Sequence, residues 1–325
     1  MESTLIKLTQ LLNDGQYHNG TTLGDKLNIS RAAIWKIVKR LQQYGIAITS
    51  VKGKGYILET PLILLSEKKI KAGLLQKNCK LILLEKVDST NTYLEKRELN
   101  TKSDVVVCLA EVQTQGKGRL NRHWHSPFGQ NIYLSMRYFF QRDMSELSGL
   151  SLVVGLAICH ALETSLILKD KIYVKWPNDI VVAAQKIAGV LIEAQAEANG
   201  YCRVVMGMGI NVNMQHAAQD EINQAWQALQ NLTGSYIDRN ILVINLINTL
   251  IDYLERFSQE GLKSFITQWE RKDILFGHPV QLRPISKEYQ GIGAGINAQG
   301  HLLLKNEHGI HAFSCGDTSL LKESK

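Results

Sequence analysis

The chain has 325 residues, of which 45% are hydrophobic and 21% are charged, and these values predict a soluble protein of two or three domains with well-buried cores. The five cysteines and nine histidines lack metal-ligand spacing, and we recognise neither a signal peptide nor the ~18 apolar residues of a membrane span, so we expect a cytoplasmic protein with reduced thiols and no structural metal. The net charge of +7 permits a nucleic-acid partner but does not require one.

Residues 1–63 have the pattern of a winged helix-turn-helix domain. Ser30 is a good N-cap for the third helix of this pattern, because its hydroxyl can accept from a free backbone N–H. The predicted elements, in chain order, are helices at Thr4–Leu12, Thr22–Leu27 and Arg31–Tyr44, then a hairpin with strands at 46–49 and 55–58.

The charge of this first domain favours a DNA partner. Residues 1–60 carry eight basic and four acidic side chains, a net of +4, and the basic ones cluster on the third helix and at the hairpin tip. A recognition helix reads bases near its N-terminus and contacts phosphates around them, whereas a basic helix without a partner is only a solvated face. The predicted DNA-binding residues are Thr22, Ser30, Arg31, Lys36, Lys39, Arg40, Lys52 and Lys54.

The pattern over residues 64–270 predicts a second, larger domain of mixed strands and helices. A charged stretch after Pro61 separates it from the first domain, and a helix at 66–76 is expected to link the two. Strands and helices mix without a strict βαβ repeat, which predicts an α+β sheet flanked by helices. The expected strands are 81–87, 104–111, 131–140, 172–175, 180–183, 187–196 and 202–213, and the expected helices are 89–99, 146–168 and 238–258.

Residues 271–325 are short, rich in turns and rich in strands, which predicts a small barrel. The expected strands are 280–283, 288–296, 301–305 and 309–313.

The strongest chemical signal is the loop at 116–124, Gly-Lys-Gly-Arg-Leu-Asn-Arg-His-Trp. Glycines let the backbone approach a ligand closely, and interleaved cations suit a phosphate or another anion. Such a loop can also order only when its ligand arrives. It lacks the spacing of a P-loop and of a dinucleotide fingerprint, and alone it could be a solvated basic turn.

Four further motifs accompany this loop over about a hundred residues. They are Asp88-Ser89-Thr90-Asn91, Val174-Lys175-Trp176-Pro177-Asn178-Asp179-Ile180, the stretch from Gln185 to Glu193, and the stretch from Gly207 to Asn213. With them, the chain resembles the bifunctional biotin–protein ligases that also repress the biotin operon, over essentially its whole length. The family loop reads Gly-Arg-Gly-Arg-x-Gly-Arg-x-Trp.

Two residues of this chain depart from the family loop. Lys117 replaces the first arginine, and Asn121 replaces the third glycine. Asparagine tolerates left-handed backbone, so we expect the loop conformation to survive. Lysine lacks the bidentate fork of arginine, so we expect phosphate contact at this position to be weaker or redistributed.

The resemblance implies an architecture and a reaction. The implied architecture is multidomain α+β, with a catalytic domain like that of class II aminoacyl-tRNA synthetases and a C-terminal SH3-like barrel. In the implied reaction biotin and ATP form biotinyl-5′-adenylate and pyrophosphate, with Mg²⁺ on the polyphosphate. A lysine of the biotin carboxyl carrier protein of acetyl-CoA carboxylase then attacks the mixed anhydride and releases AMP.

The resemblance also assigns residues to this reaction, which needs positioning and charge stabilisation rather than a protein nucleophile. Lys186, expected at the turn between two strands, and Arg119 are the implied catalytic residues. The implied biotin-binding residues are Ser89, Thr90, Asn91, Gln113, Lys117, Gly118, Arg119 and Lys186. The implied nucleotide-binding residues are Arg119, Arg122, Trp124, Lys175, Asn178, Asn211 and Trp226.

Three of these assignments have alternatives. Ser89 could instead cap a helix, Trp124 could be a core residue, and Asp179 is assigned either to a metal or to a partner lysine. Residues 214–226 resemble a segment that orders over the adenine.

Regulation is the second implied function. The adenylate would act as corepressor, a homodimer would present two winged helices to two half-sites of operator DNA, and unmodified carrier protein would compete for the same surface. Three other functions remain possible at this point: a ligase whose DNA-binding domain is not regulatory, a relative of lipoate–protein ligases, and a transcription factor whose large domain only senses a ligand.

Overall fold

Three β-sheets organise the chain, one in each of the three regions that the sequence pattern distinguishes. A computed structural model describes residues 4–97, 105–197, 200–215, 222, 224–283 and 288–321. Within these residues the sheets have two, seven and five strands in chain order. The predicted fold class, a helix-turn-helix region followed by a mixed sheet and then antiparallel strands, is confirmed.

The N-terminal module is a winged helix-turn-helix. Asn19 and Ser30 begin the second and third helices by accepting hydrogen bonds from Thr21 N and Ala33 N, which satisfies backbone groups that a helix start leaves free. Its core is formed by apolar side chains at helical spacing, which include Leu5, Leu8, Leu12, Ile34, Val38 and Leu41. The elements are α1 (Thr4–Leu12), α2 (Gly20–Leu27), α3 (Arg31–Gln43) and an antiparallel hairpin of β1 (Ile48–Val51) and β2 (Gly55–Leu58).

The central module is built on the seven-stranded sheet, whose strand order is β3-β4-β5-β9-β8-β7-β6. Only β3 and β4 pair in parallel within it. The strands are β3 (Lys80–Val87), β4 (Val106–Gln113), β5 (Ile132–Phe140), β6 (Ile172–Lys175), β7 (Asp179–Val182), β8 (Gln185–Glu197) and β9 (Tyr201–Ile210). The helices are α4 (Glu67–Gly73), α5 (Thr90–Glu95), α6 (Leu150–Ser165), α7 (Leu229–Thr233), α8 (Arg239–Glu260) and α9 (Ile266–Glu270).

The two faces of this sheet are covered unequally, which determines where a ligand can bind. Successive residues of a strand point to opposite faces, so Val107 and Leu109 face the large core under α6 and α8, while Val106 and Cys108 face α5. The short helix α5 covers only part of its face. Along β9 the positions that continue this face after Val205 are glycines, and they leave an open cleft.

The helix α6 is the most apolar element. The segment Met144–Ser165 is long and apolar enough to pass as a membrane span by composition, although our sequence interpretation found no such stretch. Residues such as Val153, Leu156 and Ile158 are fully buried in the core of the central module. Its apolar character is therefore explained by packing against the sheet and α8.

The C-terminal module is a five-stranded antiparallel sheet with the order β13-β12-β11-β10-β14. Val280, Leu282, Leu302 and Leu304 join its core to the large core of the central module. The strands are β10 (Pro279–Arg283), β11 (Tyr289–Ile296), β12 (Leu302–Asn306), β13 (Gly309–Phe313) and β14 (Asp317–Leu320). The last strand was not predicted from the sequence.

Several predicted boundaries were wrong. The helix expected at 146–168 begins only at Leu150, because Gly149 has a left-handed φ of 82°. The strand expected at 202–213 ends at Ile210, and the next three residues leave the ladder. The first wing strand lies at Ile48–Val51 rather than 46–49, and the linking helix ends at Gly73 rather than 76. The strand expected from 104 and the helix expected to 99 extend into residues outside the described part of the chain.

The expected position of Lys186 also needs correction. The turn between β7 and β8 is formed by Ala183 and Ala184, with φ of 48° and 61°. Positive φ at both central residues is the geometry of a tight hairpin turn, which usually carries Asn and Gly, so the alanines gave no signal. Lys186 lies inside β8, paired with Val181 of β7.

A buried ion pair holds the segment that joins the first two modules. Glu111 on β4 and Arg239 at the start of α8 are 2.7 Å apart, and their side chains are 2% and 0% exposed. Glu111 also accepts from Leu65 N at 2.5 Å, while Arg239 donates to the carbonyl of Ile63 at 3.1 Å and to that of Asn131 at 2.9 Å. The joining segment is thus bonded on both sides to the central module.

Neighbouring polar side chains extend this bonding along the segment. Asn240 donates to the carbonyl of Leu64 and accepts from Ser66 N, and Tyr236 accepts from Ile63 N at 2.9 Å. At the other end, the amide of Asn13 forms two hydrogen bonds with the backbone of residue 62. The N-terminal module is therefore attached through ordered backbone rather than through a free linker.

Two side-chain contacts add to this attachment. Tyr44 at the end of α3 stacks on Phe128 with ring centroids 4.6 Å apart, and Arg40 forms an ion pair with Glu85 on β3. Val112 and Phe128 belong to the same apolar cluster as the helices of the N-terminal module, so the two modules share a core.

We predict that Glu111→Ala lowers the free energy of unfolding by about 3–5 kcal/mol, because it leaves a buried arginine without its partner. Urea unfolding followed by circular dichroism measures this change. The matched control is Glu67→Ala, which breaks an exposed pair with Lys71 and should change the same quantity by less than about 1 kcal/mol. Equal effects of the two substitutions would contradict the prediction.

Candidate active site

A cleft of about 970 Å³ lies on the open face of the central sheet, a volume in the range of small-molecule sites. All the candidate ligand-binding residues from the sequence line it, although they are spread from residue 89 to residue 226. They are Ser89, Thr90, Asn91, Gln113, Lys117, Gly118, Arg119, Arg122, Trp124, Lys175, Asn178, Asp179, Lys186, Asn211 and Trp226.

Two glycines of β9 make room for side chains above the sheet. A Cβ added to Gly209 would lie 2.3 Å from Cε2 of the Trp124 indole, and one added to Gly207 would lie 2.2 Å from Oδ1 of Asn91. Both distances are far below van der Waals contact, so only glycine permits these positions. The floor of the cleft is therefore bare backbone on which the indole and the amide rest.

The loop at 116–124 is a narrow hairpin over one side of the cleft. Trp124 N donates to the carbonyl of Gly116 at 2.9 Å, and Gly118 N donates to that of Arg122 at 2.7 Å. Between them, Leu120 and Asn121 have φ of 54° and 57°. Asn121 thus adopts the left-handed backbone that we expected at this position, and Leu120 adopts it as well.

Lys186 projects into the cleft from β8. Its Nζ lies 2.7 Å from Oδ1 of Asp179 and 5.3 Å from the centroid of the Trp124 ring. Both charged side chains are largely buried, with 15% and 18% exposure, so water screens the pair weakly. The backbone of Lys186 also exchanges hydrogen bonds with residues 225 and 227, which places the Trp226 segment beside it.

The turn at 175–179 joins the loop to the sheet. Arg119 Nη1 donates to Oδ1 of Asn178 at 3.1 Å, and Asn178 Nδ2 donates to the carbonyl of Val190 at 2.7 Å. Asn178 therefore fixes the guanidinium of Arg119 over the same region into which Lys186 projects. Asp179, one residue later, holds Lys186, so a single turn positions both cations.

Ser89, Thr90 and Gln113 form a polar group at the other end of the cleft. Thr90 donates through its backbone N–H and its hydroxyl to Oε1 of Gln113, at 2.9 and 3.1 Å. Gln113 Nε2 donates to the hydroxyl of Ser126, which donates to the carbonyl of Trp124. Ser89 occupies the N-cap position of α5 but makes no capping bond, so its hydroxyl is available to a ligand.

The side-chain amide of Asn91 is held by two polar side chains of the central sheet. Its Nδ2 donates to Oε2 of Glu193 at 2.7 Å, and its Oδ1 lies 2.5 Å from the hydroxyl of Ser135. Glu193 and Ser135 were not candidates from the sequence. Glu193 ends the motif that begins at Gln185, but both residues meet Asn91 only in the folded sheet, so their role was not indicated by the sequence.

The C-terminal module completes the cleft, which the sequence did not indicate either. Asp317 forms an ion pair with Arg122 of the loop, and Thr318 donates to the carbonyl of Trp176 at 2.7 Å. Arg283 also lines the cleft. These two contacts join residues 195 and 142 positions apart, and the strand that carries Asp317 was itself missed.

Positive charge dominates the cleft. Six lysines and arginines line it against two carboxylates, those of Asp179 and Asp317. Burial lowers the pKa of Lys175, and the nearby carboxylate of Asp179 opposes this shift. The cleft is therefore suited to a polyanionic ligand that supplies the missing negative charge.

No metal site is evident in the part of the chain that the structure describes, since no three His, Cys, Asp or Glu side chains group together there. Asp179, which we had assigned to a metal or a partner lysine, is paired with Lys186. In the segment 214–226, residues 216–221 and 223 lie outside the described residues.

The candidate DNA-binding residues lie apart from the cleft, on the N-terminal module. Thr22, Arg31, Lys36, Lys39, Lys52 and Lys54 are exposed. Ser30 is exposed as well, but its hydroxyl caps α3. Arg40 points towards the central module, where it pairs with Glu85. The sequence interpretation did not select Trp35, a half-exposed aromatic residue on α3.

Comparison with known proteins gives matches over both regions. Residues 83–211 match the Biotin/lipoate A/B protein ligase family, and residues 4–57 match an HTH domain family. The Bifunctional ligase/repressor BirA of Salmonella typhimurium is 40% identical over 98% of this chain and 99% of its own. That of Bacillus subtilis is 29% identical over 98% of this chain and 100% of its own.

A solved structure is also similar. The biotin protein ligase from Aquifex aeolicus in complex with biotin and ATP has a TM-score of 0.63 and 28% identity, and the match covers 74% of this chain and 98% of that one.

We predict that Gly209→Ala displaces the indole of Trp124 and loosens the loop at 116–124. Overpacking of this kind costs about 1–3 kcal/mol, so trypsin should cleave the loop about tenfold faster than in the wild type. Gly189→Ala is the matched comparison, because its added Cβ would meet only the movable end of Lys186 and the indole edge at 3.1–3.3 Å. Unchanged cleavage in Gly209→Ala would show that the indole does not hold the loop.

Proposed function

The chain belongs to the family of bifunctional ligase/repressors, and from this premise we propose that it activates biotin with ATP, transfers it to a carrier protein and represses transcription. The observation that carries the enzymatic half is the placement of Lys186 and Arg119. One turn, at Asn178 and Asp179, fixes both cations over a cleft whose far end is polar and uncharged. Such a cleft suits a ligand with a neutral polar head and an anionic tail.

Biotin has this shape. Its cyclic urea offers two N–H donors and a carbonyl acceptor, which match the hydroxyl of Ser89, the hydroxyl of Thr90 and the amide of Gln113. The hydrocarbon chain then lies over the glycine floor beside Trp124. Its carboxylate reaches Lys186 and Arg119 at the cationic end, where the phosphates of ATP also bind.

The first step forms an anhydride. A carboxylate oxygen of biotin attacks the α-phosphorus of ATP, the bond to the bridging oxygen breaks, and pyrophosphate leaves with the electron pair. Lys186 and Arg119 lower the repulsion between carboxylate and phosphate and stabilise the charge that develops on the α-phosphoryl oxygens. Mg²⁺ arrives with ATP as part of the substrate, bound mainly by phosphate and water oxygens.

The second step transfers the acyl group. The neutral amine of a carrier lysine attacks the biotinyl carbonyl carbon, AMP leaves, and the amine loses a proton as the amide forms. The proposed acceptor is the biotin carboxyl carrier protein of acetyl-CoA carboxylase. Asp179 acts as a positioning residue in both steps, because it holds the ammonium of Lys186 in place.

The proposed nucleotide-binding residues offer charge, amide groups and an aromatic face. Arg122, held by Asp317, and Lys175 supply charge near the phosphates. Asn178 and Asn211 offer amide groups, and Trp226 provides an aromatic face for adenine beside Lys186. Lys117 and Gly118 approach the ligand from the loop.

The regulatory half of the proposal uses the N-terminal module. Biotinyl-5′-adenylate is the corepressor, and the adenylate-bound protein forms a homodimer that presents two recognition helices to two operator half-sites. We place the domain boundaries at residues 63 and 270 and the protein in the cytoplasm. The exposed cations of α3 and the wing support DNA as the partner of this module.

We predict that Lys186→Gln lowers biotin-dependent pyrophosphate release from ATP by about 10²–10³-fold, the usual cost of losing one group that stabilises transition-state charge. The assay uses purified protein with biotin or lipoate as the acid. Release with biotin alone, lost in the variant, supports the proposal. Release with lipoate instead would move the protein to lipoate ligation, and release with neither acid would leave only a ligand-sensing function.

We predict that Arg119→Gly still forms the adenylate but releases it faster, by roughly ten- to a hundredfold, because one charge-assisted hydrogen bond to the phosphate is lost. Dissociation of labelled adenylate after rapid gel filtration measures this rate. Arg122→Gly is the comparison, since it removes a second arginine from the same loop. Equal rates for Arg119→Gly and the wild type would remove Arg119 from the binding site.

A further inference from the structure

The recognition helix α3 exposes one large aromatic side chain among its cations. Arg31, Trp35 and Lys39 are spaced four residues apart, so they form one exposed stripe along the helix, about a quarter turn from the buried residues Ile34 and Val38. Trp35 is 51% exposed, the largest exposed side chain on this helix. Nothing in the fold of the module requires an indole at this position.

The attachment of the module determines which part of this stripe a partner can reach. The C-terminal end of α3 lies against the central module, through the pair of Arg40 with Glu85 and the stack of Tyr44 on Phe128. The first two turns of α3 are exposed at Arg31, Trp35 and Lys36. The N-terminal part of a recognition helix is the part that enters the major groove.

The surroundings of the indole identify the chemistry of its partner. The ammonium of Lys39 lies 6.0 Å from the centroid of the Trp35 ring, and Lys36 lines the same surface depression as Trp35 and Lys39. Arg31 is exposed one helical turn before Trp35. A protein partner for an exposed tryptophan would be apolar around the contact, whereas this surface is cationic. Charge complementarity therefore selects a polyanion that carries an apolar group within reach of the helix.

The major groove of DNA has one such group. The C5-methyl of thymine is its only apolar feature, while all other base edges there are hydrogen-bond donors or acceptors. We propose that Trp35 determines sequence specificity by contacting a thymine methyl in each operator half-site, with Arg31, Lys36 and Lys39 on the adjacent phosphates. This inference rests on the proposed function, because it assumes that the N-terminal module binds operator DNA.

The test begins with the full-length wild-type protein in the presence of biotin and ATP, used to select its preferred site from a pool of random DNA duplexes. The affinities of Trp35→Ala, Trp35→Phe and Lys39→Gln are then measured for this site and for a scrambled duplex over a range of salt concentrations. Thermal unfolding of each variant shows whether the exposed substitutions leave the fold intact.

The two kinds of variant should behave differently. Trp35→Ala should lose roughly tenfold in affinity for the selected site, the usual cost of one lost base contact, with unchanged binding to the scrambled duplex and an unchanged salt dependence. Lys39→Gln should bind both duplexes more weakly and lower the slope of the salt dependence by about one. Trp35→Phe should keep part of the specificity, since a smaller ring still contacts a methyl group.

Replacement of each thymine by deoxyuridine, which lacks only the methyl group, gives the decisive result. At one position per half-site the replacement should weaken the wild type about as much as Trp35→Ala does, and should not weaken Trp35→Ala further. If no thymine behaves in this way, or if Trp35→Ala binds the selected site as the wild type does, the inference is overturned. If the wild type selects no sequence, the repressor half of the proposed function fails, and this inference fails with it.

Discussion

The buried pair of Glu111 and Arg239 is the interaction on which the arrangement of the modules depends. Both charges are removed from water, so each needs its partner and further hydrogen bonds. Those further bonds go to backbone groups of the joining segment at Ile63 and Leu65 and to the carbonyl of Asn131. Because these bonds go to the backbone on both sides of residue 64, the pair also fixes the path of the segment that carries the N-terminal module.

The cleft depends on a different constraint, the absence of side chains. The glycines of β9 remove side chains from one face of a sheet whose other face is densely packed, and the cleft is the space that they leave. The charges around this space come from five separate parts of the chain, the loop at 116–124, the turn at 175–179 and the strands β8, β10 and β14. Assembly of the site therefore requires the central and C-terminal modules together.

Much of this could be predicted from the sequence, and the exceptions have physical causes. Periodicity located most helices and strands, and every ligand-binding candidate from the sequence lines the cleft. Asp317 and Glu193 were not candidates, because sequence alone does not show that Asp317 meets Arg122 or that Glu193 accepts from Asn91 across the fold. Arg40 was assigned to DNA from charge alone, and only the packed structure shows its pair with Glu85.

The shared core of the first two modules limits how the N-terminal module can be removed or replaced. Phe128 and Val112 belong to the apolar cluster that the helix-turn-helix and the joining segment form, and Tyr44 stacks directly on Phe128. A ligase made by removing the first 60 residues would therefore present an uncovered apolar surface to water, which favours self-association. The N-terminal module therefore cannot simply be exchanged for that of a relative. A replacement would need a surface that fits Phe128 and Val112 as well as a recognition helix of the desired specificity.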